Sequence, residues 1–121
     1  MAMKSLMCID PATLNTWLAS GNTVVIDVRE PGEHARGHIQ GSRLMPLSRL
    51  DPYAVPPNSQ IVLCCASGSR SKTAARRLGL EGLAHLEGGL SAWIEAGLPT
   101  AQGQTPQLMA ARFELPRAQH A

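Results

Sequence analysis

Short apolar runs alternate with amphipathic stretches along this chain. TVVID (Thr23–Asp27) and IVLCC (Ile61–Cys65) are continuous runs rich in β-branched and other apolar residues. Such runs are typical of strands that are buried on both faces of a parallel sheet. Stretches with helical spacing lie between and after them. This alternation predicts one α/β domain with a parallel sheet, covering roughly residues 5 to 100.

Capping residues mark the ends of the predicted helices. The first helix is capped by Asp10, opens with Pro11 and ends at Gly21. The second covers residues 69–80, and a third, LSAWIEA, is followed by Gly97. Three shorter elements are also predicted: one helical turn after Pro31, a strand in SRLMPL before Pro46, and a strand in LAHLEGG.

Composition narrows the range of functions. The chain has 121 residues, 44% of them hydrophobic and 17% charged, which fits one globular domain. A net charge of +2 is too weak and too scattered for nucleic-acid binding. The apolar runs are too short to span a bilayer, and the N-terminus lacks a signal-peptide core, so we expect no membrane contact and a cytoplasmic location.

Three cysteines do not predict a disulfide framework, and no paired CxxC elements suggest a zinc site. His34 and His38 are four residues apart, but Gly37 and the loop-like surroundings argue against a helical metal site. We therefore expect neither a metal nor another cofactor. Cys8 is predicted to fill core space in a first short strand.

Residues 101–121 differ from the domain before them. GQTPQ is linker-like, while LMAARFEL could form two helical turns with an apolar side. A frayed tail is the simpler interpretation. A helix that docks on the domain or on a second subunit is the alternative, which leaves a homodimer open.

Cys65 stands where a strand ends and a helix is about to begin. Ligands of open parallel sheets bind at this edge. Backbone N–H groups of residues 66–71 can converge on the sulfur there, with the positive end of the helix dipole behind them. Gly68 permits a positive φ, and Arg70 adds a cation. These features favour a thiolate nucleophile. The candidate site comprises Cys65, Ala66, Ser67, Gly68, Ser69, Arg70 and Ser71.

Three motifs make this chain resemble the rhodanese family: IDVREPGEHARGHIQGSRL (26–44), CASGSRS (65–71) and LEGGLSAW (86–93). The resemblance covers nearly everything from Pro11 to Pro99. It implies a rhodanese-like three-layer domain with about five parallel strands between helices. It also implies a six-residue active-site loop that begins at Cys65. Asp27 and Arg29 match the family's acid and arginine beside the active site, where they would shape it; a plain structural ion pair is the alternative.

Two adjacent cysteines make the loop count ambiguous. Four residues separate Cys65 from Arg70, which is the sulfurtransferase spacing, whereas five separate Cys64 from Arg70, as in related phosphatases and arsenate reductases. Gly68 falls three residues after Cys65, and Leu63 stands where such phosphatases commonly carry a histidine. These points favour Cys65 as the nucleophile and Cys64 as a core residue.

The sequence thus predicts a sulfurtransferase. A sulfane sulfur would pass from thiosulfate or a persulfide donor to Cys65 and then to a thiol or cyanide acceptor. The alternatives are a phosphatase or arsenate reductase that uses Cys64, and a non-catalytic rhodanese-like binding module. The physiological donor, the acceptor and the pathway are left open.

Overall fold

A computed structural model of the protein describes residues 6–109, in which strands alternate with helices. The strands are β1 (Met7–Ile9), β2 (Thr23–Asp27), β3 (His38–Ile39), β4 (Arg43–Leu44), β5 (Gln60–Cys64), β6 (Ala84–Leu86) and β7 (Thr100–Ala101). The helices are α1 (Pro11–Ser20), α2 (Pro31–Arg36), α3 (Ser69–Leu78) and α4 (Gly89–Glu95). Two short 3₁₀ turns lie between β4 and β5.

Five parallel strands form the main sheet in the order β1-β6-β5-β2-β4, so β5 is central. In the register of β2 with β5, Asp27 is the partner of Cys64, and the carboxyl ends of both strands meet at one edge. β3 and β7 form a separate antiparallel pair. The predicted α/β fold with a five-stranded parallel sheet is confirmed.

Alternating side chains of β5 divide the core into two halves. Ile61, Leu63 and the following Cys65 belong to the cluster that packs under α3. Val62 and Cys64 belong to the other cluster, which packs under α1 and α4. Because neighbouring residues of an extended chain face opposite sides of a sheet, the two adjacent cysteines occupy different environments.

The predicted element boundaries hold to within two residues. Asp10 caps α1, since its carboxylate accepts a hydrogen bond from the Thr13 amide at 2.9 Å. α3 ends at Leu78 rather than Leu80, because Gly79 adopts the left-handed conformation of a C-cap. The strand IVLCC ends one residue early, so Cys65 is the first residue beyond β5.

The prediction for Cys8 is wrong, because its side chain is exposed. β1 is the edge strand of the sheet, with β6 as its neighbour. There Cys8 lines a surface cleft instead of packing into the core.

The predicted domain boundary at residue 100 falls inside β7, and the chain remains in contact with the domain beyond it. The amide of Gly103 donates to the carbonyl of Ala35, and that of Leu108 donates to Leu44 at 2.8 Å. The predicted tail helix lies mostly outside the described residues, and its first two residues, 108 and 109, are not helical. No helix in the part of the chain that the structure describes is long and apolar enough to cross a membrane.

Candidate active site

The loop after β5 folds back on its own first residue. The Gly68 amide donates a hydrogen bond to the Cys65 Sγ at 3.0 Å, and the Ser71 amide lies 3.4 Å from the same sulfur. Gly68 has a φ of 110°, a left-handed conformation that L side chains rarely adopt, and this turn brings its own N–H onto the sulfur. The loop thus forms a receptor for a negative charge on Cys65.

The first two carbonyl groups of the loop point the other way, toward the start of α4. The Leu90 amide donates to the Cys65 carbonyl at 2.8 Å, and the Ser91 amide donates to the Ala66 carbonyl at 3.1 Å. Gly89 packs against these two carbonyls, and a Cβ there would come within 2.5 Å of the Cys65 oxygen. The α4 turn therefore holds the loop carbonyls outward, which leaves the amides turned toward the sulfur.

The two neighbouring thiols are both enclosed, with 3% of Cys64 and 1% of Cys65 exposed. Burial alone would raise the pKa of Cys65, but hydrogen bonds from the Ser71 and Gly68 amides outweigh it and lower that pKa. Burial raises the pKa of Cys64, and the nearby Asp27 raises it further. The Cys64 Sγ has only a 3.4 Å contact with the Cys65 carbonyl. The backbone donors around Cys65 and the deeper burial of Cys64 therefore shift the two thiol pKa values in opposite directions.

Arg70 forms a two-pronged ion pair with Glu33 of α2. Its guanidinium nitrogens donate to the two carboxylate oxygens at 2.8 and 3.0 Å. This pairing lowers the pKa of Glu33 to about 2 and raises the pKa of Arg70. The cation at the end of the loop is therefore already neutralised by a partner from another element.

Asp27 and Arg29 form part of a buried polar cluster with two histidines. Arg29 donates to the Asp27 carboxylate at 2.8 Å and to the Gly37 carbonyl at 2.6 Å. His34 Nδ1 lies 2.9 Å from that carboxylate, and the His34 ring stacks on that of His38 at 3.7 Å. Burial lowers the pKa of His34, so a neutral ring donates from Nδ1 and leaves its buried Nε2 without a hydrogen-bond partner. The cluster fixes the turn beside the site.

The remaining residues of the predicted site occupy the rim and the wall of the loop. Ser67 and Ser69 are exposed, while Ala66 is half-buried. Ser71 is fully buried, and its hydroxyl lies 3.8 Å from the Cys65 sulfur. The structure thus directs Gly68 and Ser71 at the Cys65 sulfur and turns the Arg70 side chain toward Glu33. Asp27 and Arg29 lie at the end of the neighbouring strand.

Three residues near the site were missed by the sequence interpretation: Glu33, Gly89 and His85. Glu33 lies 37 positions before its partner Arg70, and no local pattern links the two. Gly89 belongs to the quoted LEGG motif, and its doubled glycine was the available signal for a close backbone approach. His85 is a polar residue within an apolar strand, which was a signal for a buried hydrogen bond.

In the same described part of the chain, no three His, Cys, Asp or Glu side chains cluster as metal ligands would.

Comparisons with known proteins identify the family and the relatives that this chain resembles. The Rhodanese-like domain model matches residues 10–96. An uncharacterized protein of Synechocystis sp., slr1261, is 43% identical over 78% of this chain and 55% of its own length. A protein of Allochromatium vinosum named sulfurtransferase is 35% identical over 75% of this chain and 91% of its own. The crystal structure of thiosulfate sulfurtransferase from Pseudomonas aeruginosa is 33% identical, with a TM-score of 0.74, covering 88% of this chain and 21% of that one. The chain thus spans about half the length of the Synechocystis relative.

Proposed function

Because the chain belongs to the rhodanese-like domain family, we propose that it is a sulfurtransferase that carries a sulfane sulfur on Cys65. The observation that carries this proposal is the pair of amides, from Gly68 and Ser71, directed at the Cys65 sulfur. Such donors stabilise a thiolate before the reaction and the terminal sulfur anion of a persulfide after it. The relatives named for sulfur transfer are consistent with this chemistry.

The proposed reaction has two halves and one covalent intermediate. In the first half, the Cys65 thiolate attacks the outer sulfur of the donor, a new S–S bond forms, and the donor's own bond to that sulfur breaks. Thiosulfate would release sulfite with the bonding electron pair, and a persulfide would release a thiolate. In the second half, a thiolate or cyanide attacks the outer sulfur, and Cys65 leaves as the thiolate. The scheme predicts ping-pong kinetics.

The electrostatics of the loop favour a thiol persulfide over thiosulfate as the donor. Ala66, Ser67 and Ser69 carry no charge, and Glu33 neutralises Arg70. Little net positive charge is left in the loop to attract a dianion. A persulfide anion, with one charge, depends less on such attraction. The proposed location is the cytoplasm, where thiols remain reduced.

Two alternative functions are less well supported than sulfur transfer. A phosphatase that uses Cys64 would need that thiol to ionise in the loop, but Cys64 packs under α1 and α4 and its pKa is raised by burial. A purely binding module would not need the amides and the lowered pKa at Cys65.

Mass spectrometry after incubation with a donor tests the proposal. The protein is treated separately with thiosulfate and with a low-molecular-weight thiol persulfide, and its intact mass and peptides are measured. We expect one added sulfur on the peptide that contains Cys65, formed more completely with the persulfide and removed by cyanide as thiocyanate. The Cys64→Ser variant is the matched control and should accept sulfur equally well. The proposal fails if neither donor modifies Cys65.

A further inference from the structure

The Ser71 hydroxyl lies between the Cys65 sulfur and a buried histidine. Ser71 Oγ is 3.8 Å from Cys65 Sγ and 3.0 Å from His85 Nδ1. It is also 3.0 Å from the Gly68 carbonyl, to which it donates. One hydroxyl proton therefore has three possible acceptors: a carbonyl, a ring nitrogen and a thiolate.

The proton on Nδ1 of His85 decides whether the ring competes for the Ser71 hydroxyl proton. If Nδ1 carries no proton, the Ser71 hydroxyl donates to it and has nothing to offer the sulfur. If Nδ1 is protonated, it donates to the Ser71 oxygen, and the hydroxyl proton is shared only between the Gly68 carbonyl and a thiolate on Cys65, of which the thiolate carries the full negative charge. A proton on Nδ1 thus favours the charged form of the nucleophile.

His85 also borders a surface cleft of about 500 Å³, although only 2% of the residue is exposed. Within the described chain, Nε2 of His85 forms no hydrogen bond. The titratable and charged groups around this cleft are Lys72 and Arg76 of α3, Cys8 of β1 and Glu87. Burial lowers the pKa of His85, and Lys72 lowers it further, so the ring releases a proton readily at neutral pH.

We infer that His85 acts through Ser71 as a positioning residue that conducts the thiol proton of Cys65 to the cleft and then holds the Ser71 hydroxyl toward the thiolate. Cys65 and His85 are both almost completely enclosed, so the path rests on the hydrogen-bond distances that join them through Ser71 and on the position of His85 beside the cleft.

The proton transfer balances without any further reagent. The S–H proton of Cys65 moves to Ser71 Oγ as the hydroxyl proton of Ser71 moves to His85 Nδ1. Cys65 becomes a thiolate, Ser71 stays neutral, and the imidazole becomes a cation. The cation releases its Nε2 proton to water in the cleft, which leaves a neutral ring that still donates from Nδ1. The hydrogen bonds from His85 through Ser71 to the sulfur then all point toward the negative charge.

The pH dependence of Cys65 alkylation by iodoacetamide tests this inference, with peptide mapping to separate Cys65 from Cys8. His85→Phe should raise the midpoint of the profile by about one pH unit, which slows alkylation about tenfold below that midpoint. Ser71→Ala should raise it at least as much. The double variant should match Ser71→Ala, because His85 acts only through that hydroxyl. His85→Asn, which keeps a donor near the position of Nδ1, should show a smaller shift.

The controls separate this role from general effects of the cleft. Lys72→Gln removes a neighbouring charge and should move the midpoint by less than about a third of a pH unit. Lys72 is exposed to solvent, where dissolved ions screen its charge. Thermal unfolding confirms that each variant is folded, and His85→Gln replaces His85→Phe if the latter is not. An unchanged midpoint in the folded His85 variant, or a double variant whose shift equals the sum of the two single shifts, overturns the inference. Because alkylation measures the thiolate and not sulfur transfer, it stays informative even if the proposed function fails.

Discussion

Cys64 and Cys65 are joined by one peptide bond, yet they lie on opposite sides of the central strand. Cys64 ends β5 and faces the apolar cluster under α1 and α4. Cys65 begins the loop, and its sulfur accepts hydrogen bonds from two backbone amides. Both residues have almost no exposed surface, but the Cys64 thiol lies deeper in the protein than the Cys65 thiol. The comparison shows that donors around the sulfur and depth of burial together set the direction in which a thiol pKa shifts.

The difference between the two cysteines is tested most directly by removing each thiol in turn. Cys65→Ser should lower the rate of sulfur transfer by at least about a thousandfold, because the covalent carrier is lost. Cys64→Ser should change kcat/KM by less than about threefold, since its thiol only fills core space. Steady-state assays with a persulfide donor measure both. The opposite pattern would move the nucleophile to residue 64 and lengthen the loop by one residue.

The inward direction of the amides is tested at Gly89. A Cβ at this position would collide with the Cys65 and Ala66 carbonyls, at 2.5 and 2.6 Å, and displace the loop. Gly89→Ala should therefore lower kcat/KM by about tenfold to a hundredfold, as expected for a displacement of about 1 Å. Gly79→Ala is the matched control, because its φ of 65° is similar but nothing lies within 4 Å of its Cβ. Equal losses in the two variants would mean that backbone strain, and not loop displacement, is responsible.

Much of this arrangement was predictable from the sequence, and the reasons differ by residue. Cys65 was assigned because an apolar strand followed by a small-residue loop and a helix is a local pattern. The Glu33–Arg70 pair has no such local pattern, because it joins two elements whose mutual position depends on the whole fold. Cys8 was misplaced because a strand's position at the edge of a sheet depends on strand order, which periodicity does not encode. The position of His85 next to Ser71 likewise depends on the register of the sheet, which the sequence pattern does not encode.

Glu33 offers a way to sharpen the comparison, because it acts on the Cys65 side of the sheet. Glu33→Gln frees Arg70 from its ion pair and should lower KM for thiosulfate by about threefold to tenfold, with a smaller change for a persulfide donor. Glutamine can still accept the hydrogen bond from the Glu30 amide at the start of α2. Steady-state kinetics with both donors measure the effect. An unchanged ratio of the two KM values would contradict the proposed effect of loop charge on donor choice.

The smallest expected effect is on the free energy of unfolding. Burial lowers the pKa of His34 and His85 below the ordinary value of 6.5, so the unfolded chain binds more protons below that pH. The free energy of unfolding should therefore fall as pH drops through 6.5. Glu33, with a pKa lowered to about 2, contributes stability that is present above about pH 4.5 and is lost toward pH 2. That contribution should be about 1 kcal/mol or less, because the pair is partly exposed.

Urea unfolding at a series of pH values, followed by the fluorescence of the buried Trp93, measures both steps. Glu33→Gln is the control and should lose the acid step while it keeps the step near pH 6.5. A free energy of unfolding that is constant between pH 7 and pH 5 would contradict the histidine assignment.

The central position of β5 has a consequence for how the protein loses activity on heating. Parallel neighbours cover both edges of this strand, so its amide protons should be among the slowest to exchange with deuterated solvent. Cys65 follows directly from that strand. The nucleophile is therefore anchored to the part of the backbone that opens last, and catalytic inactivation should coincide with global melting instead of preceding it.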